Sequence, residues 1–408
     1  MTAGAETPVD PGKSRIGATV IALGVVSLLM DISSEMVYTQ IPIFLTQVLK
    51  VPAELIGLIE GVAESTASLL RVVAGWISDR MGRRKPLAVL GYGLGAISKP
   101  MIAVSSVWPL VLGARFVDRL GKGLRSAPRD ALIAENTAES IRGRAFGLHR
   151  SMDTIGAILG PLLGAWILIR IAGSVDHRLR MLFLIAAIPG LLAVLALAAL
   201  VRERPAEHHA GAAPRLPRLS DLSPAYRRYL LVVFLFNLGN SSDAFLILRA
   251  THATAAHPAL FKPGEILLLY ALFNVTEALF GYMAGGLSDR IGRKPVVCAG
   301  YAIFAVVYFG MAVAGSRTAF ALLFLLYGGY YTLTGGPQRA LAADLADPKQ
   351  RAAQIGAYYT VVGVALLPAS LVAGWLFEIH IWAPFAYGGV MALAAIALLS
   401  RLSGPAKA

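Results

Sequence analysis

The residues of this 408-residue chain that could do chemistry are charged side chains embedded in long apolar segments. Asp31 and Glu35 stand four residues apart in the first of these segments, so a helix would place both carboxylates on one face. An ionisable group in the middle of a bilayer is costly unless it is paired or hydrated, which makes each one a functional candidate. Carboxylates in such a setting can take up and release protons. We therefore expect Asp31 and Glu35 to carry the coupling proton.

The fourth apolar segment carries a ladder of charges that recurs at steps of three and four residues, with one single step. Its members are Arg115, Asp118, Arg119, Lys122, Arg125 and Arg129. A surface facing lipid could not hold this ladder, so the pattern predicts a hydrated cavity or acidic partners. We assign Arg115, Asp118 and Arg119 to proton coupling. In this hypothesis Arg119 or Arg115 is the cation that modulates the carboxylates of the first segment.

Other polar side chains inside the apolar segments are candidates for contact with a bound solute, because binding sites combine apolar walls with a few polar groups. They are Tyr38, Arg71, Arg150, Asp153, Asn237, Asn240, Asp243, Asn274, Glu277, Tyr327, Tyr331 and Gln338. Arg150 and Asp153, three residues apart, could instead neutralise each other. Glu60 and Glu64 form a stripe with Ser68 and Arg71 on the second predicted helix. The alternative interpretation of these two carboxylates is that they are solvated groups near the outer membrane surface.

The elements that must hold these residues are transmembrane helices. The chain is 56% hydrophobic and 15% charged, whereas soluble domains carry about 25% charged residues. The apolar runs approach the roughly 20 residues that cross a bilayer. They predict an all-α membrane protein with twelve helices at 16–47, 54–78, 87–106, 108–135, 143–171, 179–201, 227–250, 264–288, 295–314, 318–344, 352–377 and 383–402.

The basic residues predict how the chain is oriented. The net charge of +13 could suggest nucleic-acid binding, but Lys and Arg cluster in short connections between the apolar runs. With both termini in the cytoplasm, the basic residues outside the helices favour the cytoplasmic side by about three to one. We therefore expect an integral membrane protein, of a bacterial inner membrane, and no nucleic-acid partner. The single cysteine, Cys298, excludes intrachain disulfides and cysteine-based metal sites.

The two halves of the chain repeat each other at an offset of 208 to 210 residues. Ser33-Ser34-Glu35 corresponds to Ser241-Ser242-Asp243, and Trp166 corresponds to Trp375. Each half has an even number of predicted spans, so both have the same orientation. We predict two pseudo-symmetric six-helix bundles at 1–201 and 227–408, joined by a cytoplasmic linker at 202–226.

A loop motif, glycine, three residues, Asp-Arg, one residue, Gly-Arg and a basic residue, occurs in both halves between the second and third predicted helices. Its residues are Gly75, Asp79, Arg80, Gly82 and Arg83, and then Gly285, Asp289, Arg290, Gly292 and Arg293. With this motif, the chain resembles the transporters of the major facilitator superfamily along essentially its whole length. The resemblance implies a central cavity that opens alternately to each side, and a loop that acts as a conformational latch. A loop that only fixes topology is the competing interpretation.

A glycine pattern on the fifth predicted helix resembles the antiporter motif of the same family. It comprises Gly147, Gly156, Gly160, Pro161 and Gly164. Glycines four residues apart line one helical face and allow close approach of a neighbouring helix, which we expect to come from the other half. The resemblance implies proton-coupled export. The competing interpretation is ordinary packing of small residues.

Three functions stay open at this point. The first is a proton-driven exporter of a drug-like or metabolite molecule. The second is a transporter of an organic anion, a metal chelate or a divalent metal ion, for which His149 and Met152 could supplement Asp31 and Glu35 as ligands. The third is a membrane sensor or an embedded enzyme, although no catalytic or phosphate-binding motif is present. The expected partners are a small solute, protons and the bilayer. We expect no cofactor, no resident metal and a monomer.

Overall fold

The computed structural model describes residues 16–81, 83–138, 141–201, 203, 219–251, 260–347 and 350–402. All regular secondary structure in these ranges is helical. Most of the predicted linker lies outside them, as does Gly82 of the loop motif. At Asp79, Gly285 and Asp289 the description covers the backbone course only.

The described residues form twelve long helical elements, named α1 to α12 in chain order, which confirms the predicted number. They are α1 (Ala18–Tyr38, continued by Ile41–Ile43 and Phe44–Val48), α2 (Ala53–Met81), α3 (Lys85–Ala103), α4 (Trp108–Glu135), α5 (Arg142–Arg170), α6 (Val175–Leu200), α7 (Pro224–Gly239 and Ala244–Thr251), α8 (Pro263–Ile291), α9 (Arg293–Val313), α10 (Arg317–Gly335 and Pro337–Leu345), α11 (Arg351–Ile379) and α12 (Ala383–Ser400).

Three helices are interrupted where the sequence predicted continuous spans. In α7 the break after Gly239 coincides with a run of Asn and Ser, and the Ser242 hydroxyl accepts a hydrogen bond from the Ala244 amide. Such side chains compete with the helical hydrogen-bond pattern. In α10 the break falls at Gly336, just before Pro337, a residue that cannot donate a backbone hydrogen bond. The first helix is interrupted at Thr39 and Gln40. The continuous ranges 16–47, 227–250 and 318–344 were therefore wrong in this respect.

Eight of the helices in the described part of the chain are long and apolar enough to cross a membrane, by length and composition alone. The exceptions are α2, α3, α4 and α10. Of these, α4 contains the charge ladder: Arg115, Asp118, Arg119 and Arg125 are buried, and Lys122 and Arg129 line the internal cavity. The low apolarity of α4 is therefore explained by its position against a polar interior.

The halves meet along two helix pairs, α2 with α11 and α5 with α8. In the first pair, a methyl group added at Gly374 would lie 2.6 Å from the Ala53 carbonyl oxygen. A contact this close excludes any side chain at that position. Glycine therefore sets the close approach of the two halves along α2 and α11.

The duplicated loop ties together the helix ends within each half. Arg84 forms an ion pair with Glu135 at 2.6 Å, at the end of α4, and Arg293 forms the corresponding pair with Asp344 at 3.0 Å. In the second half the turn also uses Gly292, whose φ of 93° favours glycine. These contacts stay inside one half. The latch function of the loop stays a prediction, because Gly82 and the acidic side chains of the motif lie outside the described part.

Candidate functional site

A cavity of about 730 Å³ lies between the two halves. Its walls are formed by α1, α2, α3, α4 and α5 of the first half and by α7, α8, α10 and α11 of the second. One end lies at the α2–α3 and α8–α9 connections, where Arg339 is exposed and the Arg150 side chain is 69% exposed. We call this the open end.

The opposite end, which we call the closed end, is sealed by contacts between the halves. Gln40 donates a hydrogen bond to the Pro263 carbonyl at 3.0 Å. The rings of Tyr38 and Tyr270 pack with their centroids 5.7 Å apart. The Ala53 amide donates to Glu378 at 2.5 Å. The cavity is therefore accessible from one side only, as alternating access requires of a single state.

The charge ladder of α4 faces this cavity and is paired by carboxylates of α2. The Arg115 guanidinium donates two hydrogen bonds to Glu60, at 2.9 and 2.5 Å, and both side chains are 2% exposed. Arg119 lies 3.3 Å from Glu64. The interpretation of Glu60 and Glu64 as solvated surface groups was therefore wrong.

A lysine that the sequence reasoning did not select completes this network. Lys99 on α3 is 2% exposed and donates to Asp118 at 2.8 Å and to the Gly95 carbonyl at 2.7 Å. Ser98 also lies within hydrogen-bonding distance of Asp118. A single lysine inside an apolar span is a functional candidate on energetic grounds, so the signal was present.

The helix-1 carboxylates lie near several cations of α4, of which Arg119 was predicted and Lys122 and Arg125 were not. Neither Asp31 nor Glu35 forms an ion pair or a hydrogen bond with another described residue, although both line the cavity. The strongest nearby positive charges on Asp31 are Arg125 and Lys122, and the strongest on Glu35 is Lys122, followed by Arg119. Arg115 and Arg119 are held by α2 carboxylates, whereas Lys122 and Arg125 are not. Which cation modulates the helix-1 carboxylates stays a prediction.

Arg125 and Lys122 form no ion pairs with other residues that the structure describes. The Arg125 guanidinium lies over the Tyr92 ring, 4.7 Å from its centroid, and its Nη1 has no hydrogen-bond partner among the described residues. Lys122 lines the same wall and forms no ion pair with a described residue. Two carboxylates and two cations therefore face one another across the cavity without direct partners.

The predicted neutralisation of Arg150 by Asp153 does not occur. Arg150 instead pairs across the halves with Glu277 of α8 at 2.8 Å. Asp153 lies 3.5 Å from His149 Nδ1, while His149 Nε2 is 2.8 Å from the Ser27 hydroxyl. Among the described residues, no group of three or more His, Cys, Asp or Glu side chains is placed to hold a metal ion. Met152, the other ligand considered from the sequence, packs against Gly24.

The second-half wall is built around Asp243, at the break in α7. Its carboxylate accepts hydrogen bonds from Tyr327 at 2.6 Å and from Tyr331 at 3.3 Å. Asn240, also at the break, donates to the Tyr330 hydroxyl at 3.0 Å. This wall is consequently aromatic as well as acidic.

Three of the predicted contact residues do not line the cavity. Asn237 donates to a carbonyl of its own helix, and Gln338 donates to the Tyr301 hydroxyl inside the second half. Tyr327 reaches the cavity only through Asp243. Arg71 does line it and lies over the Tyr359 ring, 5.2 Å from the centroid.

The glycine face of α5 packs against α1 of the same half, so the expected partner from the other half was wrong for most of it. A methyl group at Gly156 would lie 2.6 Å from the Leu28 carbonyl oxygen, and one at Gly160 would lie 2.8 Å from that of Ile32. Gly164 lies between Met36 of α1 and Leu267 of α8, whereas Gly147 faces open space. The motif therefore holds the helix that carries Asp31 and Glu35 close to α5.

Pro161 and Asn274 form the contact between α5 and α8. Proline at position 161 leaves the Ala157 carbonyl, four residues earlier, without its helical donor. Asn274 of the second half donates to that carbonyl at 2.9 Å. The carbonyl that Pro161 leaves without a donor in α5 is therefore satisfied by a hydrogen bond from the other half.

Comparisons with known proteins agree with this architecture. The model of the Major Facilitator Superfamily matches residues 23–256 and 244–408. An uncharacterized MFS-type transporter of Methanocaldococcus jannaschii is 36% identical over 382 residues, which is 93% of each chain. Multidrug resistance protein MdtH of Photorhabdus laumondii is 27% identical over 358 residues, covering 86% of this chain and 85% of that protein.

Among solved structures, the nucleoside transporter NupG superimposes with a TM-score of 0.74 at 16% identity, over 93% of this chain and 98% of that one. That likeness concerns the fold. Together with the twelve helices, the duplicated loop and the cavity between the halves, these matches identify an integral membrane protein built for transport. The chain belongs to the major facilitator superfamily.

Proposed function

We propose that this protein is a proton-coupled antiporter that exports a drug-like or metabolite molecule by alternating access. The observation that carries the proposal is the pair Asp31 and Glu35 on the cavity wall, without direct partners and opposite Lys122 and Arg125. Carboxylates in this position can be protonated when the cavity faces one side and deprotonated when it faces the other. The neighbouring cations favour proton release.

The charges around the two carboxylates define the coupling site. The charged groups that act on Asp31 or Glu35 are Arg119, Lys122, Arg125 and Arg129 on α4, Asp153 on α5 and Glu277 on α8. The two carboxylates also repel each other when both are ionised. The glycine face of α5 packs against α1, so we expect these two helices to move together. A shift of this helix pair relative to α4 would change the distances from the carboxylates to Lys122 and Arg125. Proton affinity then depends on the conformation of the half.

The direction and orientation of transport belong to the same proposal. The excess of basic residues at the open end supports a cytoplasmic location for that end and for both termini. The structure would then be the inward-open state in a bacterial inner membrane. The α5 glycine motif supports export, and so does the 27% identity to a multidrug resistance protein.

The test is transport by the purified protein in proteoliposomes under an imposed pH gradient. Internal pH is followed with a trapped fluorescent indicator while cationic drugs, organic acids and divalent metal ions are offered in turn. The wild type is expected to move protons only when a substrate is present. The double variant Asp31→Asn/Glu35→Gln is expected to lose this movement, because its side chains can no longer ionise.

Asp176→Asn is the matched control. Asp176 pairs with Arg180 at the start of α6, away from the cavity, and its side chain is 48% exposed. This variant is expected to transport like the wild type. Substrate-driven proton movement that persists in the double variant would contradict the proposal.

A further inference from the structure

The second-half wall contains a buried carboxylate that the coupling site does not use. Asp243 is only 7% exposed, yet it lines the cavity at the break between the two segments of α7. Interrupted helices near the middle of such a fold are the usual places for substrate contacts. The position of Asp243 is therefore that of a binding residue.

Asp243 has no cationic partner in the described part of the chain. Its hydrogen bonds come from the hydroxyls of Tyr327 and Tyr331, and the nearby charges that act most strongly on it are those of Glu60 and Glu64. Arg115 and Arg119 lie over the ring of Tyr38, each 5.7 Å from its centroid, but both guanidinium groups are already paired with the α2 carboxylates Glu60 and Glu64. Other acidic groups of this cavity face an arginine or a lysine, whereas Asp243 faces aromatic hydroxyls. A buried negative charge of this kind leaves a place for a cation from outside the protein.

Aromatic rings surround this place. Phe273 packs between Tyr270 and Tyr331, with centroid distances of 5.1 and 5.2 Å, and Tyr38 of the first half adds a further ring against Tyr270. All four of these residues line the cavity. Aromatic faces attract organic ammonium ions through their quadrupoles, and a carboxylate beside them adds direct charge attraction. This combination is suited to an organic cation with an apolar body.

We propose that the transported molecule carries an organic cation and that Asp243, with Tyr38, Tyr270, Phe273 and Tyr331, binds it. This inference rests on the proposed antiport and names the substrate class for it. The site has walls from both halves, so a bound molecule senses their relative position.

The charge balance of the cavity explains why this substrate would exchange with protons. While Asp31 and Glu35 are ionised, they compensate Lys122 and Arg125 across the cavity. Protonation of the two carboxylates leaves the cations uncompensated, and their field then disfavours a second positive charge at Asp243. Proton and organic cation then exclude each other through the field of Lys122 and Arg125, and also directly when Asp243 itself takes up a proton. An organic anion would respond in the opposite sense and would bind together with protons.

The experiment compares two probes of similar size and shape and opposite permanent charge, tetraphenylphosphonium and tetraphenylborate. Binding to the full-length protein in detergent is measured by calorimetry at pH 8 and pH 5, with protein-free micelles as the blank. We expect the phosphonium to bind at least tenfold more tightly than the borate at pH 8. We expect its affinity to fall at least tenfold at pH 5, and its binding at an intermediate pH to release protons.

Variants locate the site. Asp243→Asn is expected to weaken phosphonium binding at least tenfold, Asp243→Glu to retain most of it, and Asp176→Asn to leave it unchanged. Thermal unfolding establishes that Asp243→Asn is folded, and Phe273→Leu, which keeps an apolar side chain but removes a ring, supplies a second test with an expected loss of at least threefold. Tighter binding of the borate, or phosphonium affinity unaffected by Asp243→Asn, would overturn the inference.

The two proposals can fail separately. Phosphonium binding that depends on Asp243 but releases no protons would support the cation site and contradict antiport. Substrate-driven proton movement with anionic solutes alone, abolished in Asp31→Asn/Glu35→Gln, would preserve proton coupling and overturn the cation site.

Discussion

Removing the Glu60 carboxylate tests how far the first half depends on the ion pair buried beside its cavity. Glu60 and Arg115 are both 2% exposed and share two hydrogen bonds at 2.9 and 2.5 Å. Glu60→Met keeps the length and apolar volume of the side chain while it removes the charge. Arg115 then stays buried without its main partner.

The expected cost follows from the surroundings of Arg115. Breaking a buried pair by removing one partner destabilises a protein by about 3–5 kcal/mol, because the other charge is left uncompensated. Glu64 at 3.8 Å and Asp118 at 3.7 Å remain near the guanidinium and soften the effect. We therefore expect the low end, about 3 kcal/mol, which is roughly a hundredfold in the unfolding equilibrium.

The assay is reversible unfolding in mixed micelles of mild detergent and SDS, followed by far-ultraviolet circular dichroism. The double variant Glu60→Met/Arg115→Met removes both charges and is expected to recover to within about 1 kcal/mol of the wild type. Asp176→Asn, at the exposed pair with Arg180, serves as the control and is expected to lose less than about 1 kcal/mol.

Two results would refute the reasoning. A loss below about 1 kcal/mol for Glu60→Met would mean that water reaches the pair and screens it. A double variant as unstable as the single one would mean that the loss comes from packing rather than from an uncompensated charge.

Three further predictions concern the helices around the cavity. Gly160→Ala is expected to lower the free energy of unfolding by about 1–3 kcal/mol through its clash with α1, whereas Gly147→Ala, which faces open space, should be neutral or slightly stabilising in the same assay. Asn274→Ala should cost about 1 kcal/mol in the wild type and nearly nothing beside Pro161→Ala, since an alanine at 161 supplies the missing donor; additive losses would contradict this. Lys99→Met should slow transport at least tenfold while Lys99→Arg, which keeps the charge, retains part of it; equal rates for both variants would show that the charge is dispensable.

The helices and their repetition could be predicted from the sequence because both depend on patterns within single segments. Apolar runs gave helix ends close to those of the structure, for example 108–135 for α4. The break in α7 was missed because its cause is local. A short run around Ser242 changes the backbone path, but it hardly changes the mean hydropathy of a span of more than 20 residues.

The pairing of charges could not be predicted because it depends on how separate helices are arranged. The ladder of α4 was recognisable, but the sequence could not show whether α1 or α2 would supply its carboxylates. The depth of Glu60 was nevertheless accessible. It lies seven residues into α2, and a rise of 1.5 Å per residue places it about 10 Å along the helix, well inside the closed end.

Between the residues that the structure describes, the ion pairs given above join residues of the same half, apart from the pair of Arg150 with Glu277. The closed end relies on contacts such as Gln40 with a backbone carbonyl and the tilted ring contact of Tyr38 with Tyr270, neither of which separates opposite charges when it breaks. A rocking motion would thus keep these intra-half ion pairs, and the unpaired Asp31 and Glu35 would be the groups whose surroundings change. The balance between its two states should therefore shift little with ionic strength, so that salty and dilute surroundings leave the transport cycle with nearly the same energy profile.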